Sequence, residues 1–284
     1  MGCVLGGMLM YNAITAFLIG IIEGITEWLP VSSTGHMILF EELMPLNMTD
    51  AFKETFLVVV QLGAILAVVL LYWKKLFPFS FKKDTPVLQA EVVSLWIKIF
   101  VSCIPAAIVG ILLDDVFERL FYKPVPVAIA LIVVGAFFIL IENYNKRKIA
   151  KKNTLLSITL TDAAIIGLFQ VIAAVFPGVS RSGATIIGAI LIGISRTVAA
   201  EYTFFLAVPV MAGASLLKLL KIGFSFTAYE LLVLAVGLIT AFVVSLIAIK
   251  FLVGYVKKHD FKVFGVYRII LGLAVIILLE FIIK

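Results

Sequence analysis

Long apolar runs dominate the chain, and their lengths predict its elements. A helix needs about 20 apolar residues to cross a bilayer. Six stretches meet that requirement, roughly 55–73, 92–113, 125–142, 199–220, 229–252 and 263–283. Two further apolar stretches are interrupted. Residues 13–42 contain Glu23-Gly-Ile-Thr-Glu-Trp-Leu-Pro-Val-Ser-Ser-Thr-Gly-His36. Residues 160–195 contain Phe176-Pro-Gly-Val-Ser-Arg-Ser-Gly-Ala-Thr185. Each interrupted stretch predicts two short half-helices around a loop. Non-helical backbone at membrane depth is tolerated only where it lines a cavity or is buried in protein. Broken helices of this kind point to a site near the bilayer midplane.

The two interrupted stretches resemble each other. Pro30 follows Glu23 by seven residues, and Pro177 follows Gln170 by seven. A serine-rich turn and a glycine come next in both. Ala128–Glu142 similarly matches Val266–Glu280. The offsets are 147 for the prolines and 138 for the second match. They fit one repeat of about 140 residues, with halves at 11–145 and 155–284. The predicted fold is therefore an all-α polytopic membrane protein, forming a single membrane domain over 1–284. It has two inverted-topology repeats, each a re-entrant broken helix pair plus three full spans. Inversion follows because three crossings are odd and a re-entrant pair adds none.

Charge orients this arrangement. Lys74, Lys75, Lys82, Lys83, Lys146, Arg147, Lys148, Lys151, Lys152, Lys257, Lys258 and Lys262 fall on one side by parity. Lys53, Arg119, Lys123 and Lys221 fall on the other, beside Asp114, Asp115 and Glu118. Cytoplasmic loops carry the lysine and arginine excess, so both termini are expected outside. The first broken segment then enters from outside and the second from the cytoplasm. Composition agrees with a membrane setting. The chain is 63% hydrophobic and 14% charged, against about 25% charged for soluble domains. The net charge of +6 suits anionic lipid headgroups rather than nucleic acid. Cys103, in an apolar run far from Cys3, reads as a buried free thiol. No Lys or Arg precedes Lys53, so a cleaved signal is not expected, and Gly6 breaks the myristoylation pattern. Residues 1–10 are expected to fray.

The polar residues of the two loops carry the chemistry. Glu23 and Glu27 are four apart and share one helix face. Two carboxylates in an apolar medium need a proton or a cation. Ser32, Ser33, Thr34 and Gly35 then open a second half-helix whose free N–H groups attract anions. His36 beside them is a base at accessible pH. The second loop holds Arg181, whose forked donors suit phosphate oxygens. Ser180, Ser182, Gly183 and Thr185 make a backbone nest around it. Gln170 and Ala174 stand where the first loop has Glu23 and Glu27. Brought together, an anion clamp would face an acid–base–nucleophile set, as phosphoryl transfer requires. Outside the loops, Gln61 reads equally as a cavity lining or a helix–helix contact. Arg268 reads as snorkelling or phosphate-facing. Glu54 and Glu201 are expected as helix N-terminal charges, and Glu142 and Glu280 as interfacial. No P-loop, GxGxxG, HExxH or CxxC motif is present.

At Glu23–His36 and Pro177–Thr185 the chain resembles the undecaprenyl-diphosphate phosphatase family, also called the bacitracin-resistance family. The resemblance covers about residues 12–284, with no departure inside either motif. It implies hydrolysis of a polyprenyl diphosphate to the monophosphate and inorganic phosphate, recycling the lipid carrier of cell-wall synthesis. It implies a plasma-membrane site opening to the outer face. It also implies catalytic roles for Glu23, Glu27, Ser33, His36 and Arg181, and dependence on a divalent cation, Mg²⁺ or Ca²⁺. The expected roles follow. Ser32, Thr34, Ser180, Ser182, Gly183 and Thr185 bind phosphate, and Glu23 and Glu27 hold the metal. Ser33 attacks phosphorus, and His36 or a glutamate takes its proton; His36 or a metal-bound water remains a rival nucleophile. The partners are the polyprenyl diphosphate lipid and the bilayer, with a homodimer left open. The competing class is a secondary transporter or flippase for a phosphorylated lipid, since inverted repeats with broken helices are common there. A transporter has no need of a nucleophile beside a base, and only one repeat carries that set.

Overall fold

A computed structural model describes residues 2–81, 86–121, 123–146, 148–222 and 225–282. The described chain is helical, with only isolated β-bridges at Phe79–Leu88 and Lys152–Ile194. The first half contains α1 (Gly2–Thr26), α2 (Ser33–Leu43), α3 (Asp50–Leu71), the short α4 (Trp73–Leu76), α5 (Ala90–Phe121) and α6 (Pro124–Asn145). A 3₁₀ turn at Leu155–Ser157 leads into the second half. That half contains α7 (Leu160–Val175), α8 (Arg181–Leu191), α9 (Arg196–Ile222), α10 (Ala228–Val256) and α11 (Lys262–Ile282). Among the described residues six helices are long and apolar enough to cross a membrane: Gly7–Thr26, Asp50–Leu71, Ala90–Leu113, Pro124–Asn145, Arg196–Lys221 and Ala228–Val256. The protein is a multi-pass membrane protein.

Their outer faces are apolar at helical spacing. Ile104 and Ile108 on α5, Ile129, Val133 and Phe137 on α6, and Ile239, Val243 and Ile247 on α10 are all exposed. In water such stripes would be a liability; in a bilayer they are the lipid-facing surface. Inside, α1 packs on α10 and α7 packs on α5. The helices α6 and α11 run against each other, and α3 lies against both α9 and α10. Small residues permit the close approach, as expected where packing rather than hydrophobicity joins helices. A Cβ at Gly135 would lie 2.6 Å from the Gly265 carbonyl, and one at Gly265 would lie 2.7 Å from the Gly135 carbonyl. Farther along the same seam a Cβ at Gly272 would lie 2.7 Å from the Ala128 carbonyl. Residue numbers rise on one helix as they fall on the other, so α6 and α11 are antiparallel.

Two expectations change, and two others gain specific partners. The first limb of the first broken pair is not short: α1 has 25 residues, against 16 in α7. Its extra turns come from the N-terminal residues expected to fray, which continue the helix back to Gly2. Glu142, in the last turn of α6, is 1% exposed; it forms an ion pair with Arg196 and accepts the Phe261 amide at 3.1 Å. A carboxylate at that depth is tolerated because a cation and an N–H both reach it. Glu54 and Glu201 likewise have specific cations: Glu54 pairs with Lys218, and Glu201 with Lys75 at 2.6 Å. Cys103 is free but only half-buried. Lys82, Lys83 and Arg147, counted in the charge bias, lie outside the described residues. So do the side chains of Cys3, Asp114, Asp115, Glu118 and Glu280.

Candidate active site

The two polar loops fold by the same local device. Pro30 and Pro177 each stop the incoming helix from continuing, since proline lacks the N–H and clashes with the preceding turn. Two residues on from Pro30, and three from Pro177, a serine takes a left-handed backbone, Ser32 at φ 73° and Ser180 at φ 71°. Non-glycine residues rarely adopt that region, and each such residue costs about 1–3 kcal/mol. Each serine caps the outgoing helix: Ser32 Oγ accepts from the Gly35 amide at 3.4 Å and Ser180 Oγ from the Gly183 amide at 3.2 Å. The remaining first-turn amides are left at the mouths of α2 and α8, the standard setting for an anion. The second loop has one residue more, Gly178 at φ 94°. A Cβ there would come within 2.7 Å of the Val127 carbonyl, so only glycine fits.

The loops meet through Glu27 and Arg181. Arg181 Nη2 donates to Glu27 Oε1 at 2.8 Å, and its Nη1 donates to the Thr203 carbonyl at 2.9 Å. Both side chains are mostly buried, with 13% and 9% of their surface accessible. A buried guanidinium–carboxylate pair is strongly coupled, and removing one partner strands the other charge. Ser33 Oγ donates to the second oxygen of the same carboxylate, Glu27 Oε2, at 3.2 Å. One carboxylate thus joins the hydroxyl of the first loop to the cation of the second. Glu23, one turn earlier, is 3% exposed, and its Oε1 has no hydrogen-bond partner.

His36 is held elsewhere. Its Nδ1 lies 2.7 Å from the Ser32 carbonyl, and its Nε2 lies 2.7 Å from the Tyr267 hydroxyl. The two rings stack, with centroids 5.6 Å apart and planes 8° apart. His36 therefore bonds neither Ser33 nor Glu27. The next residue on α11, Arg268, is fully buried. It donates to the Pro30 carbonyl at 3.2 Å and to the Gly178 and Val179 carbonyls at 2.6 and 2.8 Å. Fully buried, it does not snorkel; it ties the backbone of one loop to that of the other.

The remaining loop residues divide. Ser180 and Ser182 hydroxyls lie 3.1 Å apart beside Arg181, and Gly183 follows in the same turn. Ser33 and Thr34 are half-buried at the start of α2, while Ser32 is 1% exposed. Thr185 is fully buried; its hydroxyl donates to the Arg181 carbonyl at 2.8 Å and lies 3.0 Å from Thr203 Oγ1. Gln170, the counterpart of Glu23, is 2% exposed and both amide atoms lack partners. Gln61 is half-buried on α3. Sequence reading missed Tyr267 and Thr203. Tyr267 is a half-exposed aromatic on an apolar helix, 231 positions from its partner, and no local pattern marks it.

Known proteins are similar to this chain over most of its length. The family model for the bacitracin resistance protein BacA matches residues 16–274. The undecaprenyl-diphosphatase of Desulfitobacterium hafniense is 62% identical over 274 residues, covering 96% of this chain and 98% of that protein. Undecaprenyl-diphosphatase 1 of Clostridium acetobutylicum is 62% identical over 262 residues, covering 92% and 95%. An undecaprenyl-diphosphatase of Enterococcus faecalis is 58% identical over 261 residues, covering 92% and 94%. With a model that matches nearly the whole chain and relatives this similar over both lengths, the chain belongs to the bacitracin resistance protein BacA family.

Proposed function

We propose that this protein is an integral-membrane undecaprenyl-diphosphatase, hydrolysing the lipid diphosphate to the monophosphate and inorganic phosphate. The observation that carries the mechanism is the chain Ser33–Glu27–Arg181, in which one carboxylate accepts a hydroxyl and pairs with a guanidinium from the opposite half. The terminal phosphate of the substrate competes with Glu27 for Arg181 and settles among the first-turn amides of α8, with Ser180, Ser182 and Gly183. Ser33 Oγ attacks phosphorus as its proton passes to Glu27 Oε2, and the undecaprenyl monophosphate leaves. Water then cleaves the phosphoserine, and Glu27 returns the proton to Ser33. Glu27, not His36, is the base for the first step because it already accepts the Ser33 hydroxyl.

The carboxylates also fit a divalent cation. Among the described residues no group of three or more His, Cys, Asp or Glu gathers. Glu23 nevertheless leaves a buried carboxylate oxygen without a partner, one turn from Glu27. A Mg²⁺ is ordinarily bound by one or two carboxylates with substrate phosphates and water, and Glu23 and Glu27 supply that set. Bound there, it would neutralise diphosphate charge.

The halves form inverted repeats in this reading, which the antiparallel α6–α11 seam and the exchanged pairs α1–α10 and α7–α5 support. The lysine and arginine bias supports termini outside, and the family resemblance implies a site opening to the outer face. The same symmetry suits a flippase, but a serine bonded to a glutamate in one repeat alone favours the hydrolase. The test is phosphate release from undecaprenyl diphosphate in detergent, for wild type, Arg181→Ala and Glu27→Ala, with and without EDTA. Release by the wild type, lost in both variants and on chelation, is the expected result. Arg181-dependent binding without release would instead assign a transporter.

A further inference from the structure

His36 has a chemical role to fill and no free nitrogen with which to fill it. The carbonyl of Ser32 can only accept, so His36 Nδ1 carries the hydrogen of that 2.7 Å bond. In the neutral ring Nε2 is then the acceptor, and the Tyr267 hydroxyl 2.7 Å away is its donor. An imidazole nitrogen has one in-plane lone pair, and here the phenol occupies it. The stacked ring, 8° from parallel, fixes the histidine from the side as well. Tyr267 is 45% exposed on α11, whereas His36 is half-buried behind its own loop. Tyr267 is the more exposed residue of the pair, and its hydroxyl stands on the histidine nitrogen. Its neighbour Arg268 anchors this part of α11 to both loops through three carbonyl contacts. Tyr267, the residue before that anchor, is thereby held against the first loop, where its hydroxyl meets His36.

We propose that Tyr267 is a proton-relay residue of the reaction, passing the proton of the hydrolytic water to His36. This rests on the hydrolase reading and extends it to the second step. Water oxygen forms a bond to the phosphorus of phosphorylated Ser33 while its proton goes to Tyr267 Oη. The phenol proton passes at the same time to His36 Nε2. The P–Oγ bond breaks, and Ser33 Oγ regains its proton from Glu27. The imidazolium then gives its new proton, through the same phenol, to the departing phosphate or to bulk water. No oxidant or other reactant is needed. The attack is thus served by Ser33 and Glu27, and the hydrolysis by His36 and Tyr267.

The test compares wild type, Tyr267→Phe, His36→Ala and the double variant in phosphate release from undecaprenyl diphosphate, with thermal midpoints measured alongside. Tyr267→Phe keeps the ring and the stack and removes only the hydroxyl. A relay predicts a fall in kcat of about 10²-fold with KM within about twofold. It also predicts that the double variant is no slower than His36→Ala alone, because the two act as one unit. Replacing Tyr267 by 3-fluorotyrosine keeps the hydroxyl but makes it more acidic; kcat shifts while the thermal midpoint does not. A Tyr267→Phe enzyme as fast as or faster than wild type, losses that multiply in the double variant, or a rate insensitive to fluorination would overturn the relay. Failure of the wild type to release phosphate would instead overturn the hydrolase reading on which it stands.

Discussion

The two loops share a backbone and divide the chemistry. Both break at a proline, both turn on a left-handed serine, and both use that serine to cap the next helix on a glycine amide. Where the first loop has Ser33 after its cap, the second has Arg181; where the first has His36, the second has Ala184. The helices behind them differ as well. Residues Ser182–Ile190 of α8 are all buried, whereas most of α2 is half-buried. In the proposed reading the second loop is the more enclosed anion clamp, and the first the more accessible reaction arm. Repetition supplies two similar helix mouths; the proposed reaction needs them unequal, because a nucleophile and its base serve no purpose on both sides of one phosphate.

Substitutions can break that division, and the largest effect belongs to the reaction arm. Ser33→Ala should lower phosphate release by at least about 10³-fold and abolish any phosphoserine trapped by quenching during turnover. Arg181→Ala should cost about 10²–10³-fold, read in the same assay. It also strands Glu27 as a buried unpaired charge, so the thermal midpoint should fall with it. Gly178→Ala acts on the clamp without touching its chemistry. It forces a side chain into a positive φ against the Val127 carbonyl, and should cost about 1–3 kcal/mol of stability in denaturant unfolding. The smallest effect is expected at Gln170. Replacing a buried amide with no partners by leucine should be neutral to slightly stabilising, within about 1 kcal/mol, with turnover within about twofold. A severe loss there would show that the clamp side contributes polar chemistry after all.

Much of this was legible in the sequence. Run lengths gave five of the six helices long enough to cross, and the two interrupted stretches gave the loops. The bias toward Glu and Ser in one loop and Arg in the other gave the polar residues that meet. Three things were not legible, for physical reasons. The length of α1 was hidden because Met1–Met10 carries no helix start signal. The ion pair of Glu142 was hidden because its cation, Arg196, lies 54 positions away and reaches it only through packing. Arg268 and Tyr267 act through tertiary contacts with the two loops, and a lone arginine or tyrosine on an apolar helix gives no sign of its partner. His36 is the instructive case. Its neighbours in sequence suggested Ser33, but its ring is turned toward α11, leaving Ser33 to Glu27.

The central claim is that residues from both halves act as one phosphatase site. The most direct measurement is a cycle of initial phosphate-release rates from undecaprenyl diphosphate for wild type, Ser33→Ala, Arg181→Ala and the double variant, all at matched folded fraction. The account predicts that each single change removes most of the activity and that the double variant is no worse than the slower single, as for groups acting on one transition state. Near-normal release from either single variant, or losses that simply multiply, would contradict it.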